Sequence, residues 1–246
     1  MKPAIFLNKK IGSVGHYKLE TKKNYKYELQ IIDGHPIFNS GKQIILLDTG
    51  SPVTLTNDQN LLFENRTFDV QRSMGGANIA HVSDLLGFPI HVLLGSNIIS
   101  QFHVCVDYKN GSVTFSDDPI NEERNFVALG KTMGLPVVNA KVDTHDLKFY
   151  LDTGARLSYL HSDFTLMHKT GRIEEDFYPG LGKFETPVFS MNTEVSNEIF
   201  ETKFGHLPKN LETMFLSGDI KGILGFDFFN NYGVELEKGL GRIIIL

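Results

Sequence analysis

The chain carries the same short segment twice, and this internal repeat restricts its possible folds more than any other feature. Residues 46–54 read LLDTGSPVT and residues 150–158 read YLDTGARLS, so Asp48 and Asp152 hold equivalent places in the two copies. One Asp-Thr-Gly triplet arises by chance in roughly one chain in 20 of this length, and two on the order of one in 1,000. The repeat therefore predicts two copies of one structural unit.

A second pair of matching segments lies downstream of the aspartates. Val92–Gly95 (VLLG) corresponds to Gly222–Gly225 (GILG), and each is followed by an equally long stretch that aligns without a gap, residues 96–116 and 226–246. Both stretches contain an apolar strand, a polar turn with glycine and a final apolar strand. This pattern is typical of a β-hairpin.

The segments that precede the aspartates match as well. Each half has a strand, a turn and an apolar strand: Tyr27–Ile32, Asp33-Gly34 and Gln43–Leu47 in the first half, and Leu135–Val142, Asp143-Thr144 and Leu147–Leu151 in the second. We therefore predict an all-β fold of two lobes related by a pseudo-twofold axis, residues 1–118 and 119–246. The polar, proline-containing stretch 117–124 is the expected linker.

Helix should be scarce in such a chain. Ser162 is a good N-cap and Gly171 a good C-terminal residue, which favours a short helix from Ser162 to Lys169. A counterpart in the first half is expected to start at Asn57-Asp58.

The repeated aspartates suggest a chemistry that uses two carboxyl groups. Hydrolysis of a peptide bond without a metal or a covalent intermediate requires an activated water, which two carboxyls that share one proton can provide. The ionised carboxylate accepts a proton from the water, and the protonated carboxyl donates to the substrate carbonyl or polarises it. Two like charges a few ångströms apart cannot both persist, so the pKa values of the pair separate.

The motif residues resemble those of a known family. Leu47–Ser51 (LDTGS) and Leu151–Ala155 (LDTGA) resemble the active-site loops of retropepsins and pepsins. Leu93–Gly95 and Ile223–Gly225 resemble the family's hydrophobic-hydrophobic-Gly motif, which packs under the active-site loop. Retropepsins are usually homodimers with one Asp-Thr-Gly motif per subunit. This chain has two, so it resembles a fused, single-chain version, similar to the bilobal pepsins but smaller.

The resemblance carries expectations for fold, function and site. It implies the acid protease fold, with two retropepsin-like β-barrel lobes, few short helices and the substrate in the cleft between the lobes. It implies an aspartic endopeptidase that acts on a protein or peptide, needs no cofactor and is a monomer with an internal pseudo-dimer. Asp48 and Asp152 are then catalytic, and the supporting residues of the two loops are Thr49, Gly50, Ser51, Thr153, Gly154 and Ala155. The threonine hydroxyls should bond across to the opposite loop, and the glycines should permit a tight turn and close approach.

The family also has a glycine-rich hairpin, the flap, that closes over the substrate. Candidates are Gly75 and Gly76 in the first half, and Gly180, Leu181 and Gly182 in the second. The stretch from the aspartate to the second motif is much longer in the second half, 152–225 against 48–95, so we favour the second candidate. Phe184 could line the cleft nearby. The alternative is that both segments are ordinary surface turns.

The two loops differ by one residue that could matter. Ser51 follows the first Asp-Thr-Gly and Ala155 the second. A serine hydroxyl there could donate to the neighbouring carboxylate and favour its ionised form, which alanine cannot do. The resulting hypothesis places the negative charge on Asp48 and the proton on Asp152.

Composition argues against several other classes of protein. The net charge is −5 without a basic stripe, so nucleic acid is not an expected partner. Cys105 is the only cysteine, which excludes an internal disulfide, and its apolar neighbours predict a buried small hydrophobe. No histidine has metal-site spacing, so no metal is expected. No apolar run is long enough for a membrane span or a signal-peptide core, which favours a cytoplasmic protein.

Two other functions are compatible with the repeat. The first is a non-catalytic peptide-binding module that keeps the cleft, although both aspartates are intact. The second is a repeat protein in which the two Asp-Thr-Gly segments are simple tight turns. That reading gives no reason for threonine and glycine to recur together after a matched strand.

Overall fold

Strands make up most of the protein in a computed structural model, which describes residues 24–121, 126–165, 171–216 and 218–245. In chain order the strands are β1 Asn24–Ile32, β2 His35–Ser40, β3 Gln43–Asp48, β4 Leu55–Thr56, β5 Asn60–Phe63, β6 Arg66–Asp69, β7 Ser73–Met74, β8 Ala77–Asn78, β9 Val92–Gly95, β10 His103–Asp107, β11 Ser112–Ser116, β12 Phe126–Ala128, β13 Gly130–Thr132, β14 Leu135–Val142, β15 His145–Leu151, β16 Ser158–Leu160, β17 Ile173–Tyr178, β18 Gly182–Pro187, β19 Phe189–Val195, β20 Glu198–Gly205, β21 Ile220–Leu224, β22 Val234–Leu236 and β23 Arg242–Ile245. The helices are α1 Ile79–Leu86, α2 Ser96–Ile99, α3 Lys209–Phe215 and α4 Phe226–Asn231, with a 3-10 turn at Ser162–Phe164.

The two halves repeat one strand arrangement. In the first half β2 and β3 form an antiparallel pair, β3 runs parallel to β9, and β9 is antiparallel to β4. In the second half β14, β15, β21 and β16 pair in the same way. The second-half sheet also closes on itself, because β14 pairs with β19 at its far end. The predicted all-β fold and the predicted repeat are confirmed. The predicted match between the turns is wrong in one point: Asp143-Thr144, between β14 and β15, corresponds to the turn between β2 and β3, whereas Asp33-Gly34 lies between β1 and β2.

A central sheet joins the halves and reveals their pseudo-twofold symmetry. Its strand order is β12-β23-β22-β10-β11-β1, so each half contributes three strands. At the junction Cys105 lies opposite Glu235, flanked by the pairs Val104–Leu236 and Val106–Val234. Cys105 and Glu235 are also equivalent in the sequence repeat, so the contact is self-complementary, as a twofold axis requires. The predicted hairpins are β10–β11 and β22–β23.

The apolar cores explain why the two halves hold together. One large cluster runs through both halves under the central sheet, and each half has a smaller cluster beside the cleft. Among the residues that the structure describes, eight phenylalanine side chains are fully buried: Phe38, Phe63, Phe102, Phe115, Phe149, Phe204, Phe228 and Phe229. Burial of each stabilises the fold by about 1.5–3 kcal/mol relative to exposure. Cys105 is only partly buried, and burial raises the pKa of its thiol to about 11.

Glu235 ties the start of the linker to the central sheet. Its buried carboxylate accepts hydrogen bonds from the backbone N–H groups of Ile120 at 2.9 Å and Asn121 at 2.8 Å. The remainder of the predicted linker, residues 122–124, lies outside the described residues.

The helix predictions were only partly right. At Ser162 the described chain forms a 3-10 turn that ends at Phe164 and is capped by His161, and residues 166–170 of the predicted helix lie outside the described residues. The predicted helix at Asn57-Asp58 is wrong, because the chain bends there and enters the β5–β6 hairpin. Buried Leu61 and Phe63 alternate with exposed Asn60 and Leu62, which is the periodicity of a strand and not of a helix.

The first-half helix lies further along the chain. Helix α1 begins after Asn78, whose side chain accepts a hydrogen bond from the backbone N–H of His81 at 2.9 Å. It ends at Gly87, which has a left-handed backbone (φ 64°) that glycine adopts without strain. Within the described ranges, no helix is long and apolar enough to cross a membrane.

Candidate active site

Two equivalent strands deliver the repeated aspartates to one point. Asp48 is the last residue of β3, and Asp152 directly follows β15. A hydrogen bond joins their carboxyl groups. Both side chains are open to the cleft on one side and enclosed by protein on the others. The arrangement fits the expected pair of carboxyls that shares a proton.

Four hydrogen bonds between the two loops hold this pair in place. The hydroxyl of Thr49 donates to the carbonyl of Leu151 and accepts from the N–H of Thr153, at 2.8 and 2.9 Å. The hydroxyl of Thr153 donates to the carbonyl of Leu47 and accepts from the N–H of Thr49, at 2.8 and 3.0 Å. Both threonines are fully buried. The predicted bonding across the loops is confirmed in both directions.

The glycines of the motif are required by the closeness of the two loops. A Cβ atom at Gly154 would lie 2.6 Å from Cγ of Asp48, and one at Gly50 would collide with the carboxyl group of Asp152. Any larger residue would push the two carboxyls apart. The predicted close approach is confirmed.

The second repeated motif packs beneath the loops. The N–H of Gly95 donates to the hydroxyl of Thr54, and the N–H of Gly225 donates to the hydroxyl of Ser158, both at 3.0 Å. A Cβ atom at either glycine would collide with the loop backbone. The motif therefore supports each aspartate from below, as the resemblance implied.

The carbonyls of Ser51 and Ala155 take part in the same support. The Ser51 carbonyl accepts from the N–H of Ser96 at 2.8 Å, and the Ala155 carbonyl accepts from the N–H of Phe226 at 3.0 Å. Both supporting residues therefore act through their backbone. This explains why serine in one half can stand where alanine stands in the other.

Burial and mutual repulsion set the protonation of the pair. Burial, the charge of Asp152 and the hydrogen bond to Asp152 raise the pKa of Asp48 well above its usual range. Burial raises the pKa of Asp152 to about 6, against the opposing effect of backbone N–H groups from Gly154, Ala155 and Gly50 and the hydrogen bond from Asp48. Asp152 therefore has more backbone donors for a negative charge than Asp48, which receives them from Ser51 and Gly50.

The hypothesis that Ser51 stabilises a charge on Asp48 assumed that the serine hydroxyl donates to that carboxylate, and this assumption is wrong. The Ser51 hydroxyl donates to the carbonyl of Val53 at 2.7 Å, and it is the backbone N–H of Ser51 that bonds to Asp48 Oδ1, at 2.9 Å. The different side chains after the two motifs therefore do not distinguish the carboxyls. The backbone donors do, and they favour the opposite assignment.

A cavity of about 290 Å³ lies over the aspartates, with walls from both halves. The first-half wall is aliphatic, with Leu46, Leu55, Val82 and Leu93. The second-half wall adds aromatic rings to aliphatic side chains, with Leu135, Tyr150, Phe184, Leu207, Phe215 and Ile223. Phe184 lines the cleft, as the sequence suggested.

Both flap candidates form turns over this cavity, and their tips meet. Strands β17 and β18 form a hairpin of six residue pairs, with Gly180 at its tip, and β7 and β8 form a smaller turn of two pairs around Gly75 and Gly76. Gly75 and Gly180 line the cavity, and a Cβ atom at Gly180 would lie 3.4 Å from the Gly75 carbonyl. Leu181 and Gly182 lie on the outer side of the hairpin tip, and Leu181 is exposed.

A polar group at the base of the hairpin was not found from the sequence. Buried Asp176 accepts a hydrogen bond from the hydroxyl of Tyr159, and its Oδ1 accepts from the N–H of Phe177 at 2.8 Å. The ring of His35, from the first half, stacks on Phe177 with centroids 5.4 Å apart. Burial raises the pKa of Asp176 and lowers that of His35. Arg156 completes the group, and all of these residues line the cavity.

None of these residues carries a sequence signal of its own. They come from separate segments, do not recur in the repeat and belong to no motif. Only the position of Arg156, directly after the second Asp-Thr-Gly-Ala, could have drawn attention to it. Among the described residues, no group of three or more histidine, cysteine or acidic side chains is placed to hold a metal ion.

Comparisons with known proteins support the fold. No protein-family model and no curated protein sequence matches the chain. Among solved structures, the aspartic proteinase from Irpex lacteus aligns over 91% of this chain and 97% of its own, with a TM-score of 0.50 and 10% identity. A retropepsin-like aspartic protease from Rickettsia conorii aligns over 49% of this chain and 87% of its own, with a TM-score of 0.33 and 17% identity. The likeness to the Irpex lacteus enzyme shows the fold, which is that of the aspartic proteinases.

Proposed function

We propose that this chain, which has the aspartic proteinase fold, is an aspartic endopeptidase whose catalytic residues are Asp48 and Asp152. The observation that carries the proposal is the hydrogen-bonded pair of carboxyl groups, held by the reciprocal threonine bonds and open to the cleft. A structural turn would not require two enclosed acids to face each other, because that contact costs free energy at neutral pH.

The protonation of the pair assigns a role to each acid. Asp152, the more acidic of the two, accepts a proton from the attacking water, and Asp48 donates its proton to the substrate carbonyl oxygen as the tetrahedral intermediate forms. Each carboxyl thereby takes the protonation state that the other had. In the second step Asp152 gives its proton to the leaving amine, and Asp48 takes a proton from a hydroxyl group of the intermediate. Both acids then have their starting protonation states.

The shape of the cleft fits an extended polypeptide. Its walls come from both halves, so a peptide that crosses the aspartates contacts the aliphatic wall on one side and the partly aromatic wall on the other. The β17–β18 hairpin forms the roof and is the proposed flap. A peptide in this position would meet backbone groups on the roof as well as side chains on the walls.

The proposal is tested by incubation with a mixed peptide library and identification of products by mass spectrometry. We expect the wild-type protein to cut internal peptide bonds, with apolar residues beside the cut, and a pepstatin-like transition-state mimic to stop the reaction. Asp152→Asn should be inactive. Asp219→Asn is the matched control, since Asp219 is an exposed acid whose ion-pair partner in the described part of the chain is exposed Lys148, at 3.1 Å.

The same experiment separates the two functional candidates. Retention of library peptides by the wild-type protein without any cleavage, unchanged in Asp152→Asn, would support a non-catalytic peptide-binding module. Cleavage that persists in Asp152→Asn would contradict both the proposed mechanism and the assigned residues.

A further inference from the structure

Arg156 connects three parts of the cleft: the loop after Asp152, the β17–β18 hairpin and the first-half turn at Asp33-Gly34. It lies four residues after Asp152, in the loop between the aspartate and β16. Its side chain is only 20% exposed, although it carries a charge. A buried guanidinium needs acceptors around it, and their identity shows what the residue does.

Most of these acceptors belong to one strand of the roof. Nη2 of Arg156 donates to the backbone carbonyl of Glu175, Nη1 lies 3.5 Å from Glu174 Oε2, and Nε lies 3.9 Å from Asp176 Oδ1. Glu174, Glu175 and Asp176 are consecutive residues of β17. The carboxyl groups of Glu174 and Asp176 are themselves largely buried, at 12% and 5% exposure. Arg156 thus holds both the backbone and the side chains of the hairpin's first strand.

The remaining contacts reach the other half of the molecule. Nη1 of Arg156 lies 3.7 Å from Asp33 Oδ1, at the turn between β1 and β2. The aliphatic part of the side chain packs on Gly34, where a Cβ atom would lie only 2.7 Å from Arg156 Cγ. Gly34 also has a positive φ of 82°, so glycine meets two needs at this turn.

We propose that Arg156 is a positioning residue that keeps the β17–β18 hairpin docked over the aspartates and tied to the first-half turn at Asp33-Gly34. This inference rests on the proposed function for its consequence in catalysis, but not for the docking itself. Arg156 is not a site for an acidic group of the substrate, because its guanidinium already faces three carboxylates and a backbone carbonyl.

Lysine could not take this role. The planar guanidinium presents several N–H groups in fixed directions, and here they point at acceptors on two separate elements. An ammonium group is a single point charge and can satisfy one side only. Asp176 would still be held by Tyr159 and by its bond to the Phe177 N–H, so loss of Arg156 should loosen the hairpin without unfolding the half.

The first test is hydrogen exchange of the hairpin amides, residues 173–187, in the full chain without substrate. Arg156→Ala should speed exchange there by about tenfold or more, with little change in the central sheet, and Arg156→Lys should give an intermediate increase. Arg172→Ala is the matched control, because Arg172 is exposed and its ion-pair partner among the described residues is Glu174, at 2.6 Å. It should leave hairpin exchange as in the wild type.

The second test connects docking to substrate binding. If only molecules with a docked hairpin bind substrate, the apparent affinity falls by the docked fraction. KM of Arg156→Ala should then rise by the factor by which the docked fraction falls, a fraction calculated from the measured hairpin protection, while kcat and the acid limb of the pH profile stay near wild type. Asp33→Asn, which weakens the link to the first half, should give a smaller change in the same direction.

The outcomes separate the two proposals. Unchanged hairpin exchange in Arg156→Ala would overturn the positioning role whether or not the protein cleaves peptides. Faster exchange throughout the chain, with a matching fall in thermal stability, would also overturn it, since it would show a general structural role. If Arg156→Ala does not fold, Arg156→Lys and Asp33→Asn decide by the same measurement. If the wild type proves inactive while hairpin exchange responds as expected, the peptidase proposal fails and the docking role stands.

Discussion

The floor of the cleft consists of the two Asp-Thr-Gly loops and the glycine segments beneath them, and the roof consists of the β7–β8 turn and the β17–β18 hairpin. In the floor the threonine and glycine hydrogen bonds of one half have counterparts in the other, whereas in the roof the halves differ. Thr49 and Thr153 exchange identical bonds, and Gly95 and Gly225 are held alike by Thr54 and Ser158. Above them, the first half contributes a turn of two residue pairs and the second half a hairpin of six.

The difference follows from what each layer has to do. Two carboxyls can face each other across one proton only if both loops hold them at the same point, and this requirement keeps the threonine and glycine contacts of the floor symmetric. A peptide chain has a direction, so nothing requires its two ends to meet the same roof. One long hairpin, anchored by a residue such as Arg156, can cover the cleft together with the short turn of the first half.

The largest expected effect is a loss of activity on replacement of either aspartate at the centre of the floor. Asp48→Asn and Asp152→Asn should each lower kcat/KM by on the order of 10³-fold to 10⁴-fold, because both the acid and the base are needed in the same step. Steady-state assays on a peptide identified from the library would measure this. Symmetry predicts losses of similar size, so a variant with near-normal activity in either half would contradict the shared-proton mechanism.

The next largest effect is a loss of folding stability when the reciprocal threonine hydrogen bonds are removed. Thr49→Val and Thr153→Val each remove two buried hydrogen bonds and leave an N–H and a carbonyl unsatisfied, which should cost about 2–4 kcal/mol of folding free energy. Urea unfolding would measure it. Thr→Ser at either position keeps the hydroxyl and should recover most of the loss. If the two valine variants lost strongly unequal amounts of folding free energy, the two halves of the floor would not be energetically equivalent, although their threonine hydrogen bonds match.

A third effect concerns the pH dependence of stability. The pKa of Asp152 is about 6 in the folded protein, raised from an ordinary value of 3.8, so the folded state retains a proton that the unfolded chain releases near pH 4. Its contribution to stability is complete below pH 3.8 and is lost as the pH rises through about 6. The total is about 1–3 kcal/mol.

Replacement of the acid should remove this dependence. Asp152→Asn is expected to unfold at a higher temperature than the wild type at pH 7, and to show no such advantage near pH 4. Thermal unfolding across this range, with Asp219→Asn as the control, would measure it. A variant less stable than the wild type at pH 7 would contradict the expectation that the two enclosed carboxyl groups repel each other.

The floor could be predicted from the sequence because its evidence is local and duplicated. Asp48 and Asp152 each follow an apolar strand, each is followed by the same turn residues, and each has a second motif at a distance. Four strands of the central sheet were found for the same reason, since the β10–β11 and β22–β23 hairpins recur in both halves. A feature that occurs twice in one chain supplies its own comparison.

The roof could be predicted only in outline. The extra length of the second half indicated a hairpin near Gly180, but the contacts that dock it join residues far apart in the chain. Arg156, Asp176 and Asp33 have no counterparts that would reveal a pattern, and a buried charge is recognised only when its partners are known. The predicted helix at Asn57-Asp58 was an error of the opposite kind. These two residues are good helix caps, but the residues after them alternate between exposed and buried positions, as in a strand.

The smallest effect concerns the side-chain difference between Ser51 and Ala155. Ser51→Ala gives both loops an alanine directly after their Asp-Thr-Gly motifs, yet the acid limb of the pH–rate profile should stay in place. The Ser51 hydroxyl bonds to the Val53 carbonyl, and the backbone N–H that bonds to Asp48 is kept in alanine. The variant should lose only about 1 kcal/mol of folding free energy. A shift of the acid limb would mean that the hydroxyl turns toward Asp48 during the reaction, so that side chains as well as backbone donors distinguish the two acids.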